Sequence, residues 1–116
     1  MIDNEELANT LRAFAAERNW DQFHTPKNLA ISISTEAAEL LEIFQWSRGE
    51  KDWNETQDPA IRSRIEDELA DILLGVIRFA DKAGIDLAAA ATRKIAANAA
   101  KYPASQFRGS DRKYDE

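Results

Sequence analysis

"IEDELADILLG", residues 65–75, sets four acids, Glu66, Asp67, Glu68 and Asp71, among isoleucines and leucines in a stretch with the apolar spacing of a packed helix. At about 100° per residue, Ile61, Ile65, Ile72 and Phe79 line up as one apolar stripe, and Glu68 falls inside it. Asp71 stands three residues on, roughly 60° to one side of the same line. Glu66 and Asp67, with Glu42 upstream, sit where a solvated helix face normally keeps its acids. An ionised carboxylate inside the stripe is costly to bury unless something answers its charge.

An earlier segment repeats the pattern. Leu29, Ile33, Leu40 and Phe44 form a stripe, Glu36 falls within it, and Glu39 follows three residues later. Packing the two helices through these stripes would gather Glu36, Glu39, Glu68 and Asp71 into one cluster. Two like charges about 4 Å apart repel by roughly 4 kcal/mol at an effective dielectric near 20, so some of the four must be protonated, paired or bound to cations. Oxygen-only ligands suit hard ions such as Mg²⁺ or Mn²⁺, and Mg²⁺ readily takes phosphate oxygens as further ligands. Buried salt bridges to Arg or Lys are the competing reading, because in a chain with 21 acids such spacings also arise by chance.

Working outward, the sequence reads as four helices. The first spans about Asn4 to Arg18, with Leu7, Leu11 and Phe14 at helical spacing, and the polar, aromatic connection "NWDQFHTP" follows it. Pro26 suits the first turn of a second helix that runs to about Trp46. "SRGEKDWNETQDP" is polar, holds Gly49 and Pro59, and reads as a loop. The third helix covers about Ala60 to Lys82 and stops at Gly84. The alanine-rich fourth, about Leu87 to Tyr102, ends before Pro103. The pattern predicts an all-α, four-helix bundle-like domain over residues 1–103 and a polar C-terminal tail over 104–116.

Composition narrows the function. The 116-residue chain is 44% hydrophobic and 31% charged, enough for one domain with a core of its own. It has no cysteine, which excludes disulfides, thiolate metal sites and cysteine nucleophiles and suits a reducing compartment. A net charge of −6 disfavours binding to a nucleic-acid polymer, while small anions remain accessible through bridging cations. No stretch is apolar for long enough to cross a bilayer, and "MIDNEELANT" lacks a signal-peptide pattern. The expected location is cytoplasmic.

Other residues suit a phosphorylated, aromatic ligand. Lys94, Asn98 and Lys101 share one face of the fourth helix as a plausible phosphate grip, or as a solvated basic face near a helix C-terminus. Trp46 stands seven residues beyond Glu39, nearly on the same line. Trp20, Phe23 and His24 supply further flat side chains, and stacking on a nucleobase is worth roughly 1–3 kcal/mol. Core packing for the tryptophans and a structural hydrogen bond for His24 are the ordinary alternatives. Trp53 receives no role.

With these residues assembled, the chain resembles the all-α nucleoside triphosphate pyrophosphohydrolases of the MazG-like superfamily, whose signature is E-x-x-E followed at a distance by E-x-x-D. Here the signature reads "EAAE", then "ELAD". "FAAERNWDQFHTPKNL", "EIFQW", "KIAANAAKYP" and "FRGSDRKY" look like the dCTP pyrophosphatase branch. The resemblance covers nearly the whole chain. It implies that Glu36, Glu39, Glu68 and Asp71 bind Mg²⁺ and that a nucleoside triphosphate, dCTP-like, is cut between its α and β phosphates, with Glu36 or Glu39 orienting the attacking water. It further implies a base pocket of Trp20, His24 and Trp46, with Lys94 and Asn98 on the phosphates and Lys101 nearby. Sites shared between subunits of a homodimer or homotetramer are part of the same expectation.

Two positions depart from the branch. The animal enzymes have histidine where this chain has Leu11 and tyrosine where it has Gly75, which predicts a roomier or less polar base pocket here. Two other classes compete: a di-iron carboxylate bundle, disfavoured because the sole histidine is in no Glu-x-x-His pair, and a catalytically silent helical adaptor.

Overall fold

A computed structural model describes residues 3–49 and 53–113. The first two residues of the expected domain, residues 50–52 of the loop after the second helix, and residues 114–116 of the tail lie outside them. The helices are α1 (Asn4–Glu17), α2 (Pro26–Phe44), α3 (Pro59–Ala83), α4 (Leu87–Lys101) and α5 (Ala104–Phe107), with 3₁₀ turns at Asp21–Phe23 and Asn54–Gln57. No strand occurs among the described residues, as the helical periodicity predicts.

Side chains written into the sequence set the helix ends. Asp3, Thr25 and Asp86 each accept a hydrogen bond from the backbone N–H three residues on, capping α1, α2 and α4. Pro26 occupies the first turn of α2, where a missing N–H costs nothing. At the start of α3, Asp58 accepts from the Ala60 N–H at 3.0 Å. Gly84, at φ 69°, ends α3 in the left-handed conformation that glycine adopts without strain. Asn19, at φ 53°, turns the chain after α1.

The chain divides into two compact units, Met1–Ala83 and Gly84–Glu116. In the first, α2 and α3 share the most extensive packing, and α1 lies against α3. Leu29 and Phe79 line one cavity, Ile33 meets Gly75, and Glu36 adjoins Glu68, so numbers rise on α2 as they fall on α3 and the pair runs antiparallel. A Cβ built on Gly75 would lie 3.0 Å from Ile33 Cγ1. Here the Ile33 side chain takes the space that a side chain on residue 75 would need. The predicted stripes face this seam: Leu29 is buried, and Ile33, Leu40, Phe44, Ile61, Ile65, Ile72 and Phe79 are half-buried.

In the second unit, Tyr102 packs edge-on against Phe107 at 5.0 Å between ring centroids, and the Arg112 guanidinium lies 4.8 Å over Phe107. The segment read as a polar tail therefore carries a one-turn helix tied back to the end of α4.

Candidate functional site

In the middle of the α2–α3 seam, one carboxylate oxygen from each of Glu36, Glu39 and Glu68 lies within 4.8 Å of the others. Glu36 and Glu68 are half-buried and Glu39 is exposed, as follows from stripe positions for the first two and a flank position for the third. Asp71 is exposed and stands outside that trio. Its charge still acts on both Glu36 and Glu68.

The electrostatics are those of an acid cluster that pairs with no cationic side chain among the described residues. The Glu36 carboxyl is pushed up to about 7, first by its hydrogen bond with Glu68, then by desolvation, and then by Glu39 and the charge of Asp71. Glu68 is also raised: its contact with Glu36 pulls the other way, and desolvation together with Glu39 and Asp71 outweighs it. Oε2 of Glu36 and Oε2 of Glu68 are shut off from solvent, and apart from the contact between the two carboxyls no donor among the described residues reaches them. Buried carboxylate oxygens seldom stay unsatisfied. Among the described residues, the ion pairs of the first unit run elsewhere: Arg12 to Asp81, Arg18 to Glu17, Arg78 to Asp21 and Asp81, Lys82 to Asp21, and Arg62 to Glu66. An all-oxygen donor set with two orphaned buried oxygens fits a hard divalent cation.

The remaining predicted residues divide by position. Trp20 and His24 precede α2, whereas Trp46 follows it, and a helix of 19 residues separates the two by about 28 Å. One chain therefore does not bring Trp46 to Trp20 and His24, and Trp46 stands 89% exposed. Trp20 packs edge-on against Phe14 at 5.7 Å, with the Arg18 guanidinium 3.5 Å above the Phe14 ring. Lys94, Asn98 and Lys101 are exposed on α4, in the second unit. The space a side chain at position 75 would enter is taken by Ile33 rather than left open.

His24 has a setting that sequence reasoning missed. Its Nδ1 accepts a hydrogen bond from Arg78 Nε at 3.0 Å. Arg78 is 5% exposed, and its Nη2 donates to Asp21 Oδ1 at 2.7 Å. Lys82 Nζ reaches the same Asp21 oxygen at 2.7 Å. On the α1 side, Arg12 holds Asp81 through two bonds of 2.6 and 3.2 Å. Burial, then the charges of Arg78 and Lys82, hold the His24 ring below its ordinary range against the opposing pull of Asp21. His24, Pro26, Leu29, Phe79, Lys82 and Ala83 line a cavity of about 130 Å³. The available signal was Arg78 itself, a cation between Ile77 and Phe79 on the apolar end of α3.

Comparison with known proteins shows what the chain as a whole is similar to. Residues 31–116 match the MazG-like family. Human dCTP pyrophosphatase 1 is 37% identical over 112 residues, 97% of this chain, and the bovine protein of that name matches equally well. The chain spans 66% of the length of these relatives. A solved pyrophosphatase from Archaeoglobus fulgidus is 45% identical and superposes with a TM-score of 0.79, covering 85% of this chain and 91% of its own.

Proposed function

We propose, because the chain belongs to the MazG-like family, that it is a divalent-metal-dependent nucleoside triphosphate diphosphatase, releasing monophosphate and pyrophosphate from a dCTP-like substrate. The observation that carries this reading is the trio Glu36, Glu39 and Glu68 within 4.8 Å, with two buried oxygens that no donor group among the described residues satisfies. The similarity to dCTP pyrophosphatase 1 supports the substrate class, and the archaeal pyrophosphatase supports the bond cut.

Glu36, Glu39, Glu68 and Asp71 would hold Mg²⁺ or Mn²⁺. When bound, the cation supplies charge to neutralise the triphosphate and to acidify water. Glu36 or Glu39 orients a water at the α-phosphorus and takes its proton as the new P–O bond forms. The bond to the α–β bridging oxygen breaks, and pyrophosphate leaves with that oxygen. Lys94, Asn98 and Lys101 are assigned to the phosphates, and Trp20, His24 and Trp46 to the base. Since α2 separates Trp46 from the other two, a base pocket containing all three needs Trp46 from a second copy.

A homodimer or homotetramer accounts for that need and for the apolar surface. Ile31 and Leu41 share one face of α2 and are 52% and 68% exposed, and Leu69 and Leu73 on α3 are about half exposed. Residues 1–103 form the catalytic domain in this reading, and 104–116 its appendage. No helix among the described residues is long and apolar enough to cross a membrane, and the cysteine-free chain suits the cytoplasm.

The test is incubation with a panel of dNTPs and MgCl₂, with separation of products and a thermal melt with and without the metal. Pyrophosphate and monophosphate are expected. Release of orthophosphate contradicts the cleavage position, and absence of both turnover and metal-induced stabilisation leaves a helical adaptor.

A further inference from the structure

We propose that Arg78 is a positioning residue that fixes His24 as a neutral ring with its proton on Nε2, so that the cavity beside it presents a hydrogen-bond donor to a carbonyl oxygen of the nucleobase. The substrate half of this inference rests on the function proposed above.

The geometry begins with what a guanidinium can do. Arg78 has donors only and stays protonated, so whichever ring nitrogen faces it must be bare and must accept. That nitrogen is Nδ1, 3.0 Å from Arg78 Nε. A neutral imidazole with a bare Nδ1 carries its proton on Nε2, and there it can only donate. Arg78 is itself fixed, being buried and bonded to Asp21, with Asp81 also within 3.7 Å. The charged groups around His24 are Asp21 from the 3₁₀ turn and Arg78 and Lys82 from α3. Two cations against one anion resist a second proton on the ring.

The donor is placed where a base can meet it. Leu29 and Phe79, which line the cavity with His24, lie on the stripes that carry Glu36 and Glu68. Leu29 precedes Glu36 by two helical turns, roughly 10 Å along one line of α2. The carboxylate trio and the cavity are thus two stations on a single seam, a nucleoside's reach apart. Lys82, the other polar residue lining the cavity, also only donates. Two side-chain donors at its edge favour bases with carbonyl oxygens, namely cytosine, thymine, uracil and guanine, over adenine, whose acceptors are ring nitrogens only.

Because the chain has a single histidine, the ring can be read directly. Long-range ¹H–¹⁵N NMR of the protein without substrate is expected to show one tautomer, protonated at Nε2, titrating below the ordinary histidine range. A ring protonated at Nδ1, or an even mixture, overturns the proposal even if no variant folds. In Arg78→Gln the tautomers should mix and the titration move up. With the best carbonyl-bearing dNTP and Mg²⁺, KM should rise about three- to tenfold, the worth of one fixed hydrogen bond, with kcat within about twofold. The KM for dATP should be nearly unmoved. Equal KM changes for all bases, or an unchanged tautomer, overturn it. If wild-type protein turns over no dNTP, the proposed function fails while the spectrum still reports on Arg78 and His24.

Discussion

The α2–α3 seam and the end of α3 around Arg78 both place charged groups in helix packing, and they resolve the cost in opposite ways. Around Arg78 the signs alternate: Asp21 meets Arg78 and Lys82, while Asp81 meets Arg12 and Arg78. In the seam, Glu36, Glu39 and Glu68 share one sign, Asp71 adds a fourth acid close by, and two buried oxygens meet no donor group among the described residues. One region is complete as folded. The other gathers like charge, which a shared proton or a bound cation would relieve. Distance along α3 is small between them, so the difference cannot be a general property of the helix. It is what the proposed metal site at Glu36, Glu39 and Glu68 would account for.

The sharpest way to break this contrast is Glu68→Gln, which removes a charge from the incomplete region. Turnover should fall by well over a hundredfold, because even outer-shell partners of metal ligands are worth about 10–100-fold. The fold should be at least as stable in a urea melt, since a repelling charge is gone. Retained activity would falsify the site assignment. Arg78→Met, in the complete region, should do the reverse for stability. Stripping a buried guanidinium from Asp21, Asp81 and His24 is expected to cost about 2 kcal/mol in the same melt, and an unchanged midpoint would show that the network is ornamental.

A third experiment reads the seam by pH. The Glu36 carboxyl sits at about 7 against an ordinary 4.5, so the folded state binds its proton more tightly than the unfolded chain. That stability is fully present below 4.5 and is lost as pH rises through about 7. The metal-free melting temperature should therefore decline across this window, and MgCl₂ should restore it at the upper end by taking the proton's place. Glu36→Gln should flatten the decline; a decline of the same size in that variant places its origin elsewhere. The smallest effect is a control on the same helix. Glu66→Gln breaks only the exposed pair with Arg62 at 3.3 Å and should change stability by less than about 0.5 kcal/mol, with activity intact.

Much of this was legible in the chain itself. Glu36 and Glu68 were found because a period of 3.6 residues puts them inside apolar stripes, and Pro26 and Gly84 announced helix ends through known backbone preferences. Periodicity, however, describes one helix at a time. It placed Asp71 beside the seam but not outside the trio, and it treated Trp46 and His24 as neighbours in chemistry although α2 holds them at opposite ends. The Arg78 network was invisible for a related reason. Its members come from α1, a 3₁₀ turn and α3, up to 69 residues apart in sequence, and nothing in local spacing announces that Asp21 and Arg78 will meet. The short helix at Ala104–Phe107 escaped because one turn is too brief to show a period.

The bare backbone at Gly75 has a bearing on how the acids are spaced. Gly75 lies two turns from Glu68, and its neighbour Ile33 lies three residues from Glu36, so this contact acts as a calliper beside the cluster. A Cβ there would stand 3.0 Å from Ile33 Cγ1, and that side chain would have to give by a few tenths of an ångström. The spacing of the opposing acids is thus tuned by a residue that has no ligand atom at all.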